Sequence, residues 1–155
     1  MDNVGIIGFG RFGKILADVL SENFELSIYD ENESSHKYKN VSLNEIANCE
    51  VIFLAVPIRN FKALLQKIKD IKLHNTTIVD VCSVKIYPVQ LMKASLPSNV
   101  DIIATHPMFG PDSYGPFPEL KMVMHPVRDN FARFEVLKSV FESKSITVVE
   151  MTPEE

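Results

Sequence analysis

The chain has 155 residues, 46% apolar and 23% charged, with a net charge of −4. These are the figures of one globular domain with a sizeable core. The mild acidity and the lack of a basic block argue against a nucleic-acid platform, and the longest unbroken apolar run, residues 51–56, is far short of a membrane span.

Short apolar runs alternate with helix-like segments, the signature of parallel βαβ units. Residues 3–7 read as the first strand and residues 11–21 as its crossover helix. Between them stands Gly8-Phe9-Gly10-Arg11-Phe12-Gly13, the setting in which a Gly-x-Gly-x-x-Gly match implies dinucleotide binding. Gly8 permits the tight turn, Gly10 admits a pyrophosphate to the backbone, and Gly13 lets the helix pack close to the strand. The helix start then aims unpaired N–H groups and a positive dipole end at the phosphates. Residues 25–29 form the second strand, followed by a polar loop over 30–40. Ser42-Leu43-Asn44-Glu45 has the form of a capping box ahead of a short helix. Residues 50–55 form a strand, and Pro57 suits the first turn of a helix reaching about residue 70. A strand at 76–81, a helix at 86–95 and a strand at 100–104 come next. The Pro- and Gly-rich stretch 106–118 reads as a loop. A strand at 121–125, a helix at 131–143 and a strand at 146–150 complete the chain. The expected fold is α/β: one Rossmann-type, doubly wound, mostly parallel sheet over residues 1–155 with helices on both faces.

Asp30 closes the second strand about 20 residues beyond the glycine turn, where a carboxylate accepts hydrogen bonds from an adenosine ribose or caps a turn. No Arg or Lys follows it until Lys37, and a 2′-phosphate would meet like charge there. NAD is expected ahead of NADP. Ala55-Val56-Pro57 ends a strand at the edge where such folds keep their ligands; it either lines the nicotinamide side or serves as a strand stop and helix start. Asp80-Val81-Cys82-Ser83-Val84-Lys85 and Thr105-His106-Pro107-Met108-Phe109-Gly110-Pro111 each follow a strand and fall at the same edge. His106 is a candidate base on a departing hydroxyl proton. Ser83 could hold the same oxygen or act as a helix N-cap. Lys85 reads as a cleft cation or, with slightly more weight, a surface residue. Cys49 and Cys82 are too few for a disulfide framework and read as buried thiols of a reducing cytoplasm. No metal site is expected. The chain opens on a strand, so no signal or transit segment is expected either.

Taken together, the glycine turn, the Asp80-to-Lys85 run and the Thr105-to-Pro111 run resemble the prephenate/arogenate dehydrogenase family of tyrosine biosynthesis. The Phe-bearing His-Pro-Met-Phe-Gly-Pro form is nearest its arogenate branch. The resemblance implies oxidative decarboxylation of prephenate or arogenate with hydride passing to NAD. His106 would match the family's catalytic histidine on the ring 4-hydroxyl, and Ser83 the serine that positions that hydroxyl. Phe9, Arg11 and Phe12 would join the three glycines and Asp30 around the cofactor, with Met108, Phe109 and Gly110 beside the ring. The family continues past the equivalent of Glu155 into a helical domain that completes the substrate pocket and forms a dimer. A homodimer, or a partner that supplies that domain, is therefore implied. Two other readings stay open: a non-catalytic NAD-binding module, and a related dehydrogenase acting on hydroxy acids.

Overall fold

A computed structural model describes residues 2–109 and 120–155. The first strand, β1 (Asn3–Ile7), lies between β2 (Glu25–Tyr29) and β4 (Val51–Leu54), parallel to both. From there the sheet runs outward in two directions. On one side, β2 carries the short edge strand β3 (Lys39–Asn40). On the other follow β5 (Thr77–Asp80), β6 (Asp101–Pro107), β7 (Leu120–Arg128) and β8 (Ile146–Glu150). The order is β3-β2-β1-β4-β5-β6-β7-β8. All pairs are parallel except β6 with β7. The expected mostly parallel, doubly wound sheet is therefore the observed one.

Helices cover both faces. On one lie α1 (Arg11–Leu20) and α5 (Phe134–Ser143), which bury Leu16, Leu20, Leu137 and Phe141 against Val4, Ile6, Phe53 and Val79. Phe141 meets Phe53 edge-on, with ring centroids 6.3 Å apart, a favoured aromatic geometry. On the other lie α2 (Leu43–Ile46), α3 (Ile58–Lys69) and α4 (Ile86–Ser95), which bury Ile46, Phe61, Leu65 and Met92 against Ile52, Leu54, Ile78 and Ile102. The strands β4 and β5 are wholly buried, as central strands covered on both faces must be. The capping box before α2 is formed: the Glu45 N–H donates to Ser42 Oγ, and the Ser42 N–H to Glu45 Oε1, each at 3.1 Å.

The structure corrects the sequence reading in three places. The polar stretch 30–40 contains β3, paired with Ser27 and Ile28. The sixth strand runs on to Pro107, so His106 lies in the sheet opposite Val123 rather than in a loop. The seventh is longer than expected and antiparallel to its neighbour. The chain leaves β1 for β2 on one side and later returns to β4 on the other. The carboxyl ends of β1 and β4 therefore flank a topological switch point, where open α/β sheets form a ligand crevice.

Candidate active site and nucleotide cleft

A cleft of about 440 Å³ opens at that switch point, lined among others by Gly8, Gly10, Asp30, Ala55, Val56 and Pro57. Each glycine of the turn has its own reason to lack a side chain. Gly8 has φ +103°, and a Cβ there would lie 2.3 Å from the Ala55 carbonyl oxygen. At Gly13 a Cβ would lie 2.2 Å from the Gly8 carbonyl oxygen, so the helix could not close on the turn. At Gly10 a Cβ would meet nothing within 4 Å. The space beside Gly10 is open on the cleft side. Gly10 is also the N-cap of α1, with no side-chain cap and no acidic residue in the first turn. No N-cap side chain covers the start of α1, and an anion can satisfy N–H groups at such a helix start.

Asp30 sits beside this turn. Its Oδ2 accepts the Phe9 N–H at 2.6 Å, and its Oδ1 accepts those of Asn32 at 2.8 Å and Glu33 at 3.0 Å. Burial pushes its pKa up, but these three donors and the Lys14 charge outweigh it and hold the carboxyl below its ordinary value. A carboxylate has about four lone-pair sites, so the turn cap leaves Oδ2 one acceptor position. The two readings of Asp30, cap and ribose acceptor, are compatible.

The other turn residues occupy different places. The Phe9 ring is buried in the core, so Phe9 offers the site only its backbone. Phe12 is partly buried against the same core and meets Phe109 with ring centroids 5.9 Å apart. Arg11 opens α1. Neither Phe9, Arg11, Phe12 nor Gly13 lines the cleft wall, whereas α3 supplies Asn60, Ala63, Leu64 and Lys67. Those four went unmarked in the sequence reading. Their spacing of i, i+3, i+4 and i+7 places them on one helix face, and that was the signal available.

His106 lies beyond the switch point, near the end of β6. Strand alternation places it on the face of Ile102 and Ala104, the face covered by α4, which the Ser83 loop enters. Directly behind it is a buried ion pair. Lys85 Nζ donates to Asp80 Oδ2 and to the Thr105 carbonyl. Asp80 is fully buried and accepts the N–H groups of Cys82 at 3.1 Å and Thr105 at 3.2 Å. The Lys85 side chain is only 11% exposed, which corrects the lean toward a surface residue. Burial pushes the Asp80 pKa up, with Lys85 and the backbone donors pulling against it.

Burial lowers the His106 pKa and Lys85 lowers it further, against an opposing pull from Asp80. A lowered pKa favours the neutral imidazole, the form that accepts a proton. Burial, with Asp80 close by, pushes the Cys82 thiol up to about 12, which makes it a poor nucleophile. Ser83 is exposed and is not the N-cap of α4; Lys85 is. Among the described residues no hydrogen bond joins Ser83 to His106. Met108 is 58% exposed, with its backbone N–H donating to the Lys121 carbonyl at 2.8 Å. Gly110 lies outside the described residues.

The family described as prephenate dehydrogenase, nucleotide-binding domain, matches residues 21–147. The chain belongs to this family. Arogenate dehydrogenase 2, chloroplastic, of Arabidopsis thaliana is 29% identical over 97% of the chain and 47% of its own length. Arogenate dehydrogenase 1, chloroplastic, of the same plant is 31% identical over 71% of the chain and 19% of its own length. The chain thus spans less than half the length of either. Prephenate dehydrogenase of Aquifex aeolicus, solved with hydroxyphenyl propionate and NAD+, has a TM-score of 0.79 at 23% identity, covering 99% of this chain and 61% of that one. It shares the fold. Among the described residues no group of three or more His, Cys, Asp or Glu could hold a metal ion, and no helix is long and apolar enough to cross a membrane.

Proposed function

We propose that the chain binds NAD in the switch-point cleft and carries the proton-accepting half of prephenate or arogenate dehydrogenation. The observation that carries this reading is the pairing of two features on one sheet edge. One is a glycine turn with open space at Gly10 and an uncapped helix start. The other is a partly buried histidine near the end of β6, whose neutral form burial and Lys85 favour. The first fits a pyrophosphate, and Asp30 Oδ2 fits a ribose hydroxyl. Ala55, Val56 and Pro57 wall the end of the cleft that leads toward β5 and β6. Bound there, NAD supplies the hydride acceptor for the substrate ring. His106 takes the proton of the ring 4-hydroxyl, and Ser83 holds that oxygen in line with it. Loss of carbon dioxide from the ring leaves an aromatic product. Met108 and Phe109 flank the ring.

A second reading is a dinucleotide-binding unit whose turnover needs a further domain, a partner or a second copy. It is favoured by five exposed apolar side chains: Ile58, Val84, Ile86, Tyr87 and Met108, each 41% exposed or more. All follow the carboxyl ends of β4, β5 or β6, and an apolar rim around a cleft is a common docking feature. Mixing the chain with NAD and either prephenate or arogenate separates the two readings. Growth of NADH absorbance supports turnover by this chain. Calorimetric binding of NAD without turnover supports the second reading, and no binding of NAD refutes both.

A further inference from the structure

Resting on the reading of the cleft as an NAD site, we infer that Glu31 and Lys67 set its preference for NAD over NADP by an ion pair across the cleft wall. Lys67 Nζ lies 2.6 Å from Glu31 Oε1. Glu31 follows Asp30 at the end of β2, and Lys67 stands on the cleft-lining face of α3. Among the described residues that line the cleft, Lys67 is the one cationic side chain. It is therefore the group best placed to receive a 2′-phosphate on a ribose held at Asp30, a role that suits a lysine as a point charge on a flexible stem. Glu31 already engages it.

The surrounding lysines repeat the pattern. Lys14 lies 3.6 Å from Glu33, and Lys37 3.5 Å from Asp18. Lys14, Lys37 and Lys67 thus each have a carboxylate partner, so a phosphate arriving there meets ammonium groups already paired, beside the Asp30 carboxylate. Both members of the Glu31–Lys67 pair are more than half exposed, and such pairs add little to stability. Substituting either one should leave the fold intact. The selectivity is held by a removable partner rather than by the absence of a cation.

The test is calorimetric titration of NAD and NADP into the full chain and two variants. Glu31→Gln releases Lys67 and should raise the affinity for NADP relative to NAD about tenfold, the effect of one modest charge contact. Glu31→Gln/Lys67→Met should lose most of that gain. An unchanged ratio in the single variant overturns the inference, as does a gain that persists in the double variant. A wild-type chain that binds neither dinucleotide overturns the underlying reading as well. One that binds NAD while the single variant gains nothing overturns this inference alone.

Discussion

The two edges of the sheet use buried charge in opposite ways. At the amino edge, Arg133 is nearly fully buried and its Nη1 donates to the Glu50 carbonyl at 2.9 Å, the Asn75 carbonyl at 2.5 Å and Thr77 Oγ1 at 3.1 Å. Asp101 accepts from the Phe131 N–H at 2.7 Å and from Asn130 at 3.1 Å. These groups tie strands and loops to one another. At the carboxyl edge, Asp80 and Lys85 are as deeply held, yet they stand beside a half-buried histidine whose pKa burial and Lys85 lower while Asp80 pulls it up. There too the start of α1 has no side-chain cap, and Gly10 faces open space. Internal satisfaction marks the edge that holds the fold. An uncapped helix start and open space at Gly10 mark the other.

Mutations at the two edges should therefore separate function from stability. The largest effect is expected at His106. His106→Asn should lower turnover of prephenate or arogenate by about 10²–10⁴-fold, the usual worth of a general base. NAD binding by calorimetry should change far less, and equal losses in both would break the comparison. At the opposite edge, Arg133→Met removes a charge that three acceptors surround. Denaturant unfolding should report a loss of about 3 kcal/mol, with the NAD affinity of the folded chain unaltered.

A finer contrast lies inside the glycine turn. Gly8→Ala forces a side chain into a φ of +103° against the Ala55 carbonyl and should cost about 1–3 kcal/mol of stability. Gly10 has φ −77° and open surroundings, so Gly10→Ala should fold as well as wild type while binding NAD more weakly. The smallest effect is a titration. Because the folded pKa of His106 is lowered, the imidazole stays neutral as pH falls past 6.5, its ordinary value, and protonates only below it. NMR should find its midpoint under 6.5, and Lys85→Met, by removing a positive neighbour, should move that midpoint up.

The sequence displayed the start of this architecture well and its far side less well. The Val4-to-Gly13 stretch is legible because a strand, a glycine turn and a helix start each leave a local signature. Lys39 and Asn40 leave none: both are exposed, and only the register with Ser27 and Ile28 makes them a strand. Thr105-His106-Pro107 looks like loop because its polarity breaks the apolar run. Pairing with the antiparallel β7 carries the strand onward. Lys85 was hidden for a related reason. Its return to Asp80 and Thr105 depends on how the loop after β5 folds back, which five residues of spacing do not reveal. The contact between Glu31 and Lys67 spans 36 positions and exists only because the fold brings α3 and the end of β2 to one cleft.

The most direct measurement is a crystal structure of the chain with NAD. The pyrophosphate should lie over the turn from Gly8 to Gly13 with the adenosine ribose at Asp30, and the nicotinamide ring should sit beside Ala55 to Pro57 on the His106 side. A dinucleotide bound elsewhere, for instance in the polar cleft bounded by Glu25, Lys37 and Lys39 at the β2–β3 edge, would contradict the account. So would a nicotinamide ring turned away from His106.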